Sequence, residues 1–123
     1  MVRTVVGVVA GAVTWLVVVI AVSFALREVA PAVAAELNRH ATTIALAERL
    51  AISFLGSLIG GLIAALVSGE RTRAPLIAGV LLLLWWGTYH VTMIWNQFPV
   101  WYHLTFFVSL VLLSVLGGRL KSA

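Results

Sequence analysis

The stretch 74–118, APLIAGVLLLLWWGTYHVTMIWNQFPVWYHLTFFVSLVLLSVLGG, holds no lysine, arginine, aspartate or glutamate from end to end. One charged side chain at the centre of a bilayer costs about 2.5–3.5 kcal/mol on insertion scales, so a stretch this clean reads as membrane-embedded. It is too long for one helix across ~30 Å of hydrocarbon at ~1.5 Å per residue. The polar turn Asn96-Gln97-Phe98-Pro99 divides it into two spans, about 75–95 and 99–116. Pro75 and Pro99 stand where each helix would start, and there a missing N–H costs nothing.

Working outward, residues 4–26 and 50–69 are also free of charge. They supply spans at about 5–26 and 50–67, the second closed by Ser68-Gly69 with the glycine placed to cap the helix. The expected fold is all-α: a polytopic membrane protein with four transmembrane helices in an up-down bundle, one membrane domain over 1–123. Between the first two spans, Glu36, Arg39, His40 and Thr43 recur at i, i+3, i+4 and i+7, opposite Val33, Leu37 and Ile44. That pattern predicts an amphipathic interfacial helix over about 32–49 that continues into span two. One straight helix from Pro31 to Ser68 would be ~57 Å long, so a bend, tilt or protrusion is expected.

Composition agrees. Apolar residues make up 63% of the chain and charged residues 10%, against ~25% charged in a soluble domain. The net charge of +4 comes from scattered residues flanking the spans, which argues against nucleic acid as a partner and for the lipid bilayer. Without cysteine there are no disulfides, thiolate metal sites, iron–sulfur clusters or c-type haem attachment, and no cofactor is implied. Val5–Leu26 is longer than the ~7–15 residues of a signal-peptide core, so it is expected to be retained as a span.

With the N-terminus inside, the inner side carries Arg3, Arg71, Arg73, Arg119 and Lys121, and the outer side Arg27, Arg39 and Arg49. The excess predicts both termini in the cytoplasm.

Three constellations stand out. Small residues repeat at four-residue steps: Gly7 and Gly11 in span one, then Gly56, Gly60, Ala64 and Ser68 beside Ser53, Ser57, Gly61 and Ala65 in span two. Such stripes let helix backbones approach closely, with Gly60 the expected closest contact. Packing within one chain is the plain reading of these stripes; the alternative is that one stripe of span two serves the fold and the other a homo-oligomer or a larger membrane complex. Second, Trp85, Trp86, Tyr89, His90, Trp101 and His103 crowd toward the third loop, with Trp95, Phe98 and Tyr102. Interfacial belts account for Trp95, Trp101 and Tyr102. The remainder is expected to fill core space; the alternative is an outward-opening pocket for a lipid tail, quinone or other flat apolar molecule. Third, Glu36 and His40 at i, i+4 could hold a metal, and His90 with His103 a haem if both imidazoles aimed inward at equal depth; the expectation is instead that Glu36 pairs with Arg39, His40 is solvated, and His90 and His103 hydrogen-bond at the headgroup level.

No ionisable residue lies deep within any span, whereas ion-coupled transporters carry one. The glutamate in span one on which small four-helix multidrug transporters rely is missing here. There is no HExxH and no nucleophile with a base beside it, so no enzyme is expected.

Phe98-Pro99-Val100-Trp101-Tyr102-His103-Leu104-Thr105-Phe106, with Leu116-Gly117-Gly118-Arg119-Leu120, resembles a pattern in small bacterial inner-membrane proteins of four spans. The resemblance implies a multi-pass protein of the bacterial inner membrane and carries no activity; Trp101, Tyr102 and His103 match. The leading expectation is a structural, accessory or self-associating membrane component. Binding or permeation of an apolar ligand or lipid through the aromatic pocket is the alternative, and a haem- or metal-binding redox component the third.

Overall fold

A computed structural model describes residues 2–32, 35 and 43–121. Four helices carry the fold: α1 Val2–Val29, α2 Thr43–Ser68, α3 Arg73–Tyr89 and α4 Val100–Gly118. A π-helical turn, His90–Ile94, and a 3-10 turn, Trp95–Gln97, prolong α3. No strand occurs among the described residues, and all four helices are long and apolar enough to cross a membrane. The protein is an all-α four-helix bundle.

α2 runs from Thr43, so residues 43–49 and span two form one continuous helix. A helix does not stop where hydrophobicity does, and Ala45-Leu46-Ala47-Glu48-Arg49 are all strong helix formers. Most of the segment read as amphipathic, including the Glu36–His40 pair, lies outside the described residues.

Around the bundle the neighbours run α1, α2, α4, α3, so α1 and α4 sit at opposite corners. One end holds the α2–α3 turn, the start of α1 and the close of α4. Gly69 adopts φ 80° there, as a helix-capping glycine, and its N–H donates to the Ala65 carbonyl at 2.8 Å. Arg3 Nε donates to the Val67 carbonyl at 2.9 Å, Thr4 Oγ1 to Glu70 at 2.5 Å, and Arg71 to the Arg119 carbonyl at 2.9 Å. This end is tied together by polar contacts across three helices and the turn.

Small residues bring the helices together near this end, where Val8, Ala64, Ala74 and Ala78 form a compact cluster. A Cβ added at Gly11 would lie 2.7 Å from the Gly60 carbonyl oxygen, and one at Gly60 2.8 Å from that of Gly11. Closer still, Gly61 abuts the Ser114 carbonyl and Gly117 that of Leu58. Gly61, not Gly60, is therefore the tightest approach on α2. Gly7, Gly11, Ser53, Gly56, Ser57, Gly60 and Gly61 are all buried within one chain, with Gly56 and Gly60 against α1 and Gly61 against α4. Neither stripe of α2 is left free for a second copy.

Candidate functional site

The buried residues of α1 are Gly7, Val8, Gly11 and Trp15, all in its first half. Up to Gly11 the glycines let α1 lie on α2. Trp15 then wedges in, its Cδ1 3.0 Å from where a Gly56 Cβ would be, and beyond this ring no described residue of α1 is fully buried. Val19, Ser23 and Arg27 continue the Trp15 stripe at four-residue steps, so they share its face. They line a cavity of about 450 Å³. The opposite wall is Arg49, Ile52 and Ser53 of α2; Trp86, Tyr89, His90, Ile94 and Gln97 of α3 and its extension; Phe98; and Tyr102 and Phe106 of α4. All four helices contribute, at the end away from the α2–α3 turn.

The deep wall is aromatic. Trp15 lies against Trp86 with ring centroids 5.4 Å apart and edge-on to Phe106 at 6.4 Å, while Trp86 meets Tyr89 edge-on at 5.8 Å. Such tilted and edge-to-face contacts suit the ring quadrupoles and fix each ring. The aromatic residues thus interdigitate as a core would, and a cavity touching Trp86 and His90 opens beside them. A completely filled core does not describe this end.

His90 comes directly after the last α-helical residue of α3, at the start of the π turn. The wider turn admits an extra residue and rotates the chain beyond it, and such turns recur at functional sites. It brings Ile94 to the cavity and lays Trp95 parallel to His103 at 4.5 Å. His90 is stacked on Phe106 at 4.6 Å and 10°. Its Nδ1 lies 2.8 Å from Nδ1 of His103, whose Nε2 lies 3.0 Å from the Trp95 carbonyl oxygen. Two nitrogens trans on one metal stand about 4 Å apart, twice a ~2.0 Å metal–nitrogen bond. The direct contact leaves no room for a haem between these rings, and no cluster of three or more metal-ligating side chains occurs among the described residues.

Arg27 and Arg49 are the charged members of the described lining, which contains no carboxylate. The Arg49 guanidinium sits over the Phe98 ring at 5.6 Å and reaches the Tyr102 hydroxyl, so its charge is held in place at the cavity by a ring face. Two further lining residues, Trp15 and Ser53, keep a buried indole N–H and a buried hydroxyl without a hydrogen-bond partner among the described residues. Unsatisfied buried polar atoms are uncommon enough to need an explanation, and a polar group or water in the cavity would supply one.

Of the six residues singled out from sequence for a pocket, Trp86, Tyr89 and His90 line the cavity; Trp85, Trp101 and His103 do not. Neighbouring residues on a helix point about 100° apart, so Trp85 and Trp86 cannot both face inward. Trp85 is 74% exposed on the lipid-facing surface, and Trp101 likewise lies outside while Tyr102 turns in. His103 is fully buried behind His90. The contributions of Trp15, Val19, Ser23, Arg27, Arg49, Ser53 and Phe106 are not evident from the sequence. The four-residue stripe from Trp15 to Arg27 is the one signal there that points to them. No protein-family model, curated protein or solved structure matches the chain.

Proposed function

We propose that the protein binds an apolar ligand or lipid in this cavity, with the ligand's polar or anionic head at Arg27 and Arg49. The observation that carries this reading is the cavity itself: about 450 Å³ walled by aromatic rings, with Arg27 and Arg49 in its lining. Small-molecule sites have this character, mainly apolar walls with a few polar groups that fix orientation, at volumes of roughly 300–1,000 Å³. Binding is favoured over a purely accessory role because packing alone gives no reason for a cavity among large rings with two arginines in its lining. The bilayer itself is the natural source of such a ligand.

Cis-parinaric acid, a fluorescent anionic acyl chain, tests the reading. Titrated into detergent-solubilised protein it is expected to quench tryptophan fluorescence saturably. The double variant Arg27→Gln/Arg49→Gln should weaken binding about tenfold or more, as loss of charge-assisted contacts worth ~1.5–3 kcal/mol implies, discounted for the exposure of Arg27. Equal affinity in the two proteins would remove the arginines from the site, and absence of saturable quenching would remove the site.

Orientation comes from the lysine and arginine distribution. The reading places the protein in the bacterial inner membrane with both termini cytoplasmic, so that the cavity opens toward the outer leaflet. Alkaline phosphatase fused after Ala123 is expected to be inactive, and a fusion near Asn38 active. The opposite pattern would turn the cavity toward the cytoplasm.

A further inference from the structure

The hydrogen bonds behind His90 fix which atom of that ring can do what. The Trp95 carbonyl oxygen can only accept, so Nε2 of His103 must carry a proton and donate to it. Neither ring bonds a carboxylate among the described residues, and as an uncharged pair the two rings then have one arrangement. Nδ1 of His103 is a lone pair, so Nδ1 of His90 carries the proton across the 2.8 Å contact. The remaining nitrogen of His90, Nε2, is left as a lone pair, with no protein partner among the described residues, on a ring that lines the cavity. His103 is fully buried and Trp95 covers its face, so neither is free to rearrange.

We propose that Nε2 of His90 is the deep recognition point of the cavity, a fixed hydrogen-bond acceptor that selects ligands with a hydroxyl or N–H on their apolar body over the matching ether or hydrocarbon. His90 is the contact residue. His103, through the Trp95 carbonyl, is a positioning residue that holds His90 in the accepting tautomer. A ligand that can only accept meets a lone pair with its own and leaves His90 unsatisfied, and a site built for one hydrogen-bonding partner discriminates in this way. The unpartnered Trp15 N–H and Ser53 hydroxyl in the same lining suit a hydroxyl too, since it accepts as well as donates. Such selectivity rests on the proposed function, that the cavity binds an apolar ligand.

Three probes of nearly one shape test it by calorimetric titration of the solubilised full chain: 2-naphthol, 2-methoxynaphthalene and naphthalene. 2-Naphthol is expected to bind about tenfold more tightly than either of the others, and His90→Phe should erase the preference. His103→Phe should narrow it by freeing His90 to present an N–H instead. The wild-type comparison stands even where a variant fails to fold. If naphthalene binds as well as 2-naphthol, or the preference survives His90→Phe, the acceptor role is overturned while the cavity reading stands. If none of the three binds, both fall.

Discussion

Gly61→Leu is expected to leave no folded bundle in mild detergent at temperatures where the wild type persists. A Cβ at Gly61 already overlaps the Ser114 carbonyl, and this obstacle is backbone, unable to turn aside as a side chain does. Separating α2 from α4 also disturbs Gly117, seated on the Leu58 carbonyl in the same crossing. Over-packing a core costs about 1–3 kcal/mol where side chains can adjust, and more where they cannot. In a membrane, helix association depends on close van der Waals contact, so the displaced contacts are not replaced by a hydrophobic gain elsewhere. The matched control is Gly87→Ala, where an added Cβ meets only Leu83 Cδ1 at 3.8 Å and stability should hold. Size-exclusion chromatography after graded heating distinguishes them. A Gly61→Leu protein that elutes and melts like wild type would show that α2 and α4 do not need this approach.

The second large effect belongs to Trp15. It is 3% exposed, touches Trp86 and Phe106, and forms both the wedge over Gly56 and the floor of the cavity. Trp15→Ala should destabilise the bundle toward the lower end of the ~3–5 kcal/mol lost when a buried aromatic is cut to alanine, since acyl chains can enter part of the gap. It should also abolish cis-parinaric acid binding by removing the wall. Trp85→Ala, cut from a ring that faces hydrocarbon, should change neither. Thermal melts with ligand titrations on the same samples check both outcomes. Comparable losses from the two variants would mean that the assignment of inside and outside on these helices is wrong.

The four spans were legible because the bilayer imposes a rule that composition alone can obey or break: charge stays out, and every backbone group bonds within its helix. The helical stretch 43–49 ahead of span two could be read as well, because leucine, alanine, glutamate and arginine extend a helix whether or not lipid surrounds it. The glycine contacts could be read as a stripe, but not which glycine meets which carbonyl, since this depends on the crossing of α2 and α4. The candidate site was half legible. Tyr89 and His90 cluster with Trp86 in sequence and in space, whereas Arg27 and Arg49 looked like topology signals flanking their spans. Their place at the cavity depends on how α1 and α2 face each other, which no charge pattern encodes. The π turn at His90–Ile94 was equally silent, for its residues look like any other helical stretch.

The uneven burial of α1 has a mechanical consequence. Its first half is held by glycine contacts and by the polar ties of Arg3 and Thr4, while no described residue from Leu16 to Val29 is buried. Val18, Val19, Val22, Ser23 and Leu26 are only half-buried, so this half is packed more loosely than the half before Trp15. An α-helix resists sharp curvature, so if the cavity binds the ligand proposed for it, a guest of greater girth is expected to be accommodated by a small tilt of this more loosely packed half. Displacement would then grow with distance from Trp15 and be greatest near Arg27, and the position of that charge would follow the thickness of the occupant.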